Sequence, residues 1–173
     1  NFFYSRGVYN SGSHLFDLLR MLFGEIVELI SLNSITDFED EKTITAYLEF
    51  LQGYPGIIIG VNGNHFRLFN LEIFTTKGRL SLDSSLDCQF SYASESLRSE
   101  EFKELTPSIK IDLENDTQSL FLNSLDEITS LLKGSKINSC TGVDGYKSLE
   151  IIKSLEDSFK EKEKKTLTKY LFS

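Results

Sequence analysis

Apolar residues return at spacings of three and four along residues 13–23. Leu15, Leu18, Leu19 and Leu22 fall on one face, which predicts a helix, and Gly24 follows where a helix-ending glycine belongs. The pattern then changes from helical spacing to alternation. Residues 43–51 set Ile44, Ala46, Leu48 and Phe50 on one side and Thr43, Thr45, Tyr47 and Glu49 on the other, which predicts a strand. Further strands are predicted at 26–32, at 56–61 after Pro55, at 66–75, at 79–83 behind a tight turn at Lys77-Gly78, and at 87–93. Residues 1–12 read as an extended lead-in. After residue 94 a polar run, S-E-S-L-R-S-E-E-F-K-E-L, reads as a loop, followed by an edge strand at 109–113. Residues 116–133 read as a helix offering Leu120, Leu125, Ile128, Leu131 and Leu132 for burial. A loop, K-G-S-K-I-N-S-C-T-G-V-D-G, precedes a last helix over 145–162. That helix carries Leu149, Ile152, Leu155 and Phe159 and ends near a charged K-E-K-E-K-K run that reads as a solvated face.

Short strands with short connections favour antiparallel pairing, because a parallel pair needs a crossover of a dozen or more residues. A helix, a block of strands and then helices predict an α+β fold: an open, mainly antiparallel sheet with helices packed on one face. The strands at 43–51 and 66–75 carry large residues on both sides, among them Tyr47, Phe69, Leu71 and Ile73. The open face of the sheet is therefore expected to meet another domain or a second subunit.

Composition narrows the function classes. With 173 residues the chain suits a single domain spanning 1–173. Acids outnumber bases 26 to 18, for a net charge of −8, which argues against a general nucleic-acid surface. Apolar runs such as 57–61 fall far short of the ~20 residues that cross a bilayer, and no secretory leader pattern is seen. Cys88 and Cys140 stand far apart in no metal-like spacing, so a reduced, cytoplasmic setting is expected, with one disulfide as the alternative. The first residue is Asn, and an aromatic run of Phe2, Phe3 and Tyr4 follows at once. On that basis the chain is expected to be a domain of a longer polypeptide.

Little ready-made chemistry is present. G-V-N-G at 60–63 lies between two predicted strands rather than between a strand and a helix, and no phosphate loop, paired C-x-x-C, H-x-x-x-H or G-x-S-x-G motif occurs. His14 remains. It stands where a Ser/Gly turn becomes a helix, with Asn10 four residues before and Asp17 three after. An imidazole titrates near pH 6.5 and can give or take a proton at neutral pH. Asp17 is placed to orient the ring, and Asn10 to cap the helix or reach a ligand. The alternative is that His14 is only a polar first-turn residue. His65, in N-G-N-H-F, reads as a loop or strand-edge residue.

Three stretches together resemble one family. Y-N-S-G-S-H-L-F-D-L-L-R-M-L-F-G is similar to the opening of the C-terminal domain of Gfo/Idh/MocA oxidoreductases, the glucose-fructose oxidoreductase and inositol dehydrogenase family. Gly12, His14, Asp17 and Gly24 fall on its D-x-G-x-H-x-x-D pattern and helix-ending glycine. F-N-L-E-I-F-T-T-K-G-R-L-S-L resembles the family's strand–turn–strand, and C-T-G-V-D-G-Y-K-S-L-E-I-I-K-S-L-E-D-S its last helix.

The resemblance implies a C-terminal substrate-binding and oligomerisation domain with an open antiparallel sheet. Its partner in the family is an N-terminal Rossmann domain, absent here, that binds NAD or NADP and contributes the lysine of an E-K-P motif. The implied substrate is a sugar, polyol or sugar derivative, and the implied assembly is a homo-oligomer through the sheet face. His14 corresponds to the family acid/base, with Asn10 beside it. Tyr4, Arg6 and Asp17 are the substrate-binding candidates, Arg6 being suited to a carboxylate or phosphate, with a plain surface arginine as the alternative. No metal is implied. One departure matters: position 10 is Asn where many members carry Asp, and an amide cannot serve as a base. Without a nucleotide domain the chain alone is expected to be catalytically silent. The alternative is a binding or assembly domain that keeps the fold without the chemistry.

Overall fold

The computed structural model describes residues 1–37, 41–85, 87–96, 101–111, 117–135 and 140–167, with only the backbone of 117–120. In chain order the elements are β1 (Phe2–Tyr4), a π-helical turn (Gly7–Gly12), α1 (Ser13–Phe23), β2 (Ile26–Thr36), β3 (Lys42–Phe50), β4 (Pro55–Gly60), β5 (Phe69–Thr75), β6 (Gly78–Leu82) and β7 (Cys88–Glu95). They continue with β8 (Lys103–Leu105), β9 (Ile109–Ile111), α2 (Thr117–Leu132), α3 (Gly142–Glu161) and β10 (Lys165–Thr166).

The strands form one ten-stranded sheet in the order β10-β2-β3-β4-β1-β5-β6-β7-β8, with β9 also paired to β7. Every described pairing is antiparallel except β1 with β4. That pair has the crossover parallel strands need, because the chain runs through α1, β2 and β3 between them. The predicted α+β class and mainly antiparallel sheet are what the chain adopts.

Alternation in β3 does what the sequence pattern implies: Ile44, Ala46, Leu48 and Phe50 are buried. They meet Leu15, Phe16 and Leu19 of α1 and Ile151, Ile152 and Leu155 of α3 in one core, joined by Phe2, Tyr4, Ile58 and Leu71. The opposite face is apolar across β2, β3 and β4, where Ile30, Tyr47 and Ile57 stand in a row across the strands. Over β5 to β7 it turns polar, with Asn70, Glu72, Ser81 and Gln89.

Arg20 ties the helices together. Its nearly buried guanidinium reaches Glu25 at 2.8 Å, Asp144 at 3.4 Å and Asp17 at 3.8 Å. α1 ends at Gly24, whose φ of 81° suits glycine and whose N–H bonds Arg20 O. α3 begins with a reciprocal cap between Thr141 and Asp144. That T-x-x-D spacing starts the helix three residues earlier than the predicted 145.

Several expectations are corrected. Only Phe2–Tyr4 of the lead-in is extended, since Gly7–Gly12 is already helical and runs straight into α1. β5 starts at Phe69, because the ladder with β1 gives way at Ser5, whose hydroxyl takes the Leu68 N–H. β8 and β10 were not foreseen: α3 ends at Glu161, inside the K-E-K-E-K-K run read as a solvated face, and Lys165 at the end of that run pairs with Leu29 of β2. Leu22 and Leu149 are about half exposed. On α2, Leu125, Ile128, Leu131 and Leu132 are exposed rather than buried. Residues 112–113 of the predicted edge strand and the Leu120 side chain lie outside what is described.

Candidate functional site

The chain leaves β1 through a constrained turn. Arg6 has φ 69° and Gly7 φ 82°, both in the left-handed region. At Gly7 a Cβ would sit 1.6 Å from Glu41 Oε2, so only glycine fits. The turn is held by Asp37, which is 4% exposed. Its Oδ2 accepts the Arg6 N–H at 2.7 Å and the Thr43 hydroxyl at 2.6 Å, and its Oδ1 accepts the Gly63 N–H at 2.6 Å. Thr43 in turn accepts the Gly7 N–H at 2.9 Å. Sequence reading missed Asp37, because nothing local separates it from the other acids of the D-F-E-D-E run.

This anchored turn delivers the π-helical residues and then His14, the second residue of α1. The His14 side chain is exposed, as is Asn10 one turn before it. Ser13 tightens the junction by donating its hydroxyl to Asn10 O at 2.7 Å. Among the described residues no hydrogen bond or ion pair engages the His14 ring. Spacing places Asn10 and His14 as neighbours on the helical surface.

The other predicted site residues go elsewhere. Asp17 turns toward the start of α3, accepting the Cys140 thiol at 3.4 Å and lying 3.8 Å from Arg20. Tyr4 is fully buried. Its hydroxyl donates to Ile44 O at 2.9 Å and accepts the Ile44 N–H at 2.8 Å, so it presents no surface to a ligand. Burial is also the main reason its phenol is pushed far above the ordinary value. Arg6 is partly exposed at the turn, its backbone fixed by Asp37.

Electrostatics around Arg20 bear on the same helix. Glu25 is held below the usual carboxylate range chiefly by its hydrogen bonds to Arg20. Asp144 is held low first by the Thr141 N–H, then by the Thr141 hydroxyl and Arg20. The Cys140 thiol is pushed up by burial and by Asp17. Both cysteines are free thiols, and no group of three or more metal-binding side chains occurs among the described residues. No helix among them is long and apolar enough to cross a membrane.

The glycine run at 60–63 does not fit a dinucleotide pyrophosphate. The Gly60 N–H goes to Thr45 Oγ1 and the Gly63 N–H to Asp37, so these amides are spent inside the fold. A cavity of about 920 Å³ lies at the opposite end of α1, lined by Phe2, Phe23, Phe50, Tyr54 and Phe74 among others. Phe23 and His14 are nine residues apart on one helix, roughly 13 Å at 1.5 Å per residue. This apolar cavity is thus separate from the His14 surface.

A family model described as the oxidoreductase family, C-terminal alpha/beta domain (Gfo/Idh/MocA), matches residues 7–167. Curated protein sequences give no match. Among solved structures, levoglucosan dehydrogenase in complex with NADH and levoglucosan superposes with a TM-score of 0.74 at 12% identity, over 97% of this chain and 58% of that one. The WlbA dehydrogenase from Bordetella pertussis, with NADH and UDP-GlcNAcA, gives 0.63 at 18%, over 94% and 45%. An oxidoreductase from Agrobacterium radiobacter, with NAD+, L-tartaric acid and magnesium, gives 0.63 at 13%, over 95% and 55%. At such identities the likeness is one of fold, and the chain spans only about half the length of these proteins.

Proposed function

Because the chain belongs to the Gfo/Idh/MocA oxidoreductase family as its C-terminal alpha/beta domain, we propose that it is the substrate-binding and oligomerisation part of an NAD(P)-dependent oxidoreductase acting on a sugar, polyol or sugar derivative. Support for the substrate class comes from similar folds solved with levoglucosan and with UDP-GlcNAcA, and for the cofactor from those solved with NADH or NAD+. The dinucleotide supplies the redox chemistry from a Rossmann domain outside these residues.

One observation carries the reading: His14 stands exposed on a buttressed helix start, with Asn10 a turn before it and no internal partner for its ring among the described residues. An imidazole so placed takes the proton of a substrate hydroxyl as the carbonyl forms, and returns it in the reverse direction. Asn10 donates or accepts a hydrogen bond to hold that oxygen. Arg6 serves an anionic substituent. Tyr4 and Asp17 support the site from behind, one through the β3 backbone and the other through Arg20 and Cys140.

In the full-length protein, His14→Ala is expected to lower kcat by roughly 10²–10⁴, the usual worth of a general acid/base, with the melting temperature unchanged because the side chain is exposed. Undiminished turnover in that variant sinks the assignment. A second reading, a binding or assembly domain without chemistry, would then take its place. It is favoured by the amide at Asn10 and by the turning of Asp17 away to Arg20 and Cys140, which leaves no carboxylate on the His14 ring among the described residues.

A further inference from the structure

Past Tyr4 the ladder between β1 and β5 has one more rung. The Ser5 N–H donates to Leu68 O at 3.0 Å, and the Ser5 hydroxyl accepts the Leu68 N–H at 2.8 Å. One residue beyond that rung, on the two facing segments, stand Arg6 and Arg67. The loop that carries Arg67 also closes against Arg6. Asp37 takes the Arg6 N–H on one carboxylate oxygen and the Gly63 N–H on the other, and a Cβ on Gly63 would lie 3.0 Å from Arg6 Cγ. The stem of Arg6 thus packs on the loop that holds His65 and Arg67, both exposed. Among the described residues no hydrogen bond or ion pair engages either of those two side chains. No acidic residue occurs between Glu49 and Glu72, although the chain has 26 acids. Two carboxylates near Arg6 are held inward: Asp37 is 4% exposed, and Glu41 Oε2 is buried against Gly7. Arg6 itself holds φ 69°, a strained conformation for a residue with a side chain.

Arg6, Asn10 and His14 recur every fourth residue, which lines them up along one stripe from the turn into α1. Along that stripe Arg6 and His14 are separated by at most about 12 Å, at 1.5 Å per residue. We infer that Arg6 and Arg67 form an anion subsite, and that the substrate is an acidic sugar whose carboxylate or phosphate is clamped there while its reacting hydroxyl lies at His14. The inference rests on the oxidoreductase reading above and sharpens its substrate class. Guanidinium groups suit either anion, because their paired N–H donors match two oxygens at once. The anion holds the far end of the ligand and takes no part in the proton transfer.

The test is calorimetric binding to the full-length protein in the presence of NADH or NADPH. The probes are D-glucose, D-glucuronate and D-glucose 6-phosphate, and the same three forms of D-galactose. An acidic form is expected to bind at least ~10-fold more tightly than its neutral parent. Whether that form is the uronate or the phosphate tells which anion the subsite takes. Equal affinities within each set, or no binding by any member, overturn the inference. Arg67→Gln and, separately, Arg6→Gly should each cut the preference by a similar factor. Glycine adopts the left-handed turn freely and keeps the backbone N–H for Asp37, so the second variant removes the side chain and spares the turn. A preference that survives either substitution overturns the pairing. Turnover of neutral sugars with no preference for the acidic forms sinks this inference and leaves the oxidoreductase reading standing. Preferential binding of an acidic form without turnover does the reverse.

Discussion

Tyr4 shows how far a single residue can mislead when read as a letter. Next to a turn and a histidine it suggests a ligand contact, yet its hydroxyl serves both backbone groups of Ile44. Tyr4→Phe would leave a buried N–H and a buried carbonyl without that partner, so the variant should lose about 1–3 kcal/mol in urea unfolding, with KM for substrate unchanged. The phenol is held protonated by burial, so its folded pKa lies above the unfolded value near 10. Its contribution is complete below about pH 10 and is lost as pH rises beyond that, and the alkaline limb of the stability curve should flatten in the variant. His14 was legible as a candidate because its type and spacing single it out. Asp37 was not, because its role comes from two backbone N–H groups and a threonine hydroxyl brought to it by three separate segments.

At the scale of elements, alternation and helical spacing marked the three α-helices and most of the longer strands, but not what each packs against. α1 and α3 share the core, whereas the equally amphipathic α2 leaves Leu125, Ile128 and Leu131 exposed. Periodicity gives a face, and only the tertiary arrangement gives it a partner. The Arg20 cluster is such an arrangement, joining residues more than a hundred positions apart. Arg20→Met should cost about 2 kcal/mol near neutral pH. Glu25 and Asp144 have folded pKa values below their unfolded ones, so their stabilisation is present above about pH 4 and is lost as pH falls through the lower folded values. The gap between wild type and variant should therefore close in unfolding curves taken near pH 2–3. A gap that persists there would show that Arg20 acts through packing alone.

Across the whole molecule, large residues on both sides of the strands pointed to a sheet that is apolar on the face away from α1 and α3 as well. Ile30, Tyr47 and Ile57 form an apolar row there, with Ile57 40% exposed. If this row is the oligomer contact, Tyr47→Lys with Ile57→Lys should convert an associating protein to monomer in size-exclusion chromatography with light scattering at micromolar concentration. An unchanged mass would move the contact to another surface, such as the exposed Tyr92 and Ile109 of the far strands.

The position of β1 also governs how the protein is made. Phe2–Tyr4 leave the ribosome ahead of everything they pair with, since Ile58 and Leu71 follow only after the intervening helix and hairpin. A lag of about 50–70 residues lasts several seconds at roughly 5–20 residues per second. During that interval β2 and β3 can close as a local hairpin, while two phenylalanines and a tyrosine wait without their strands. The middle of the sheet is thus completed after its flank, and nascent chains stalled near residue 60 should be the ones that chaperones hold longest.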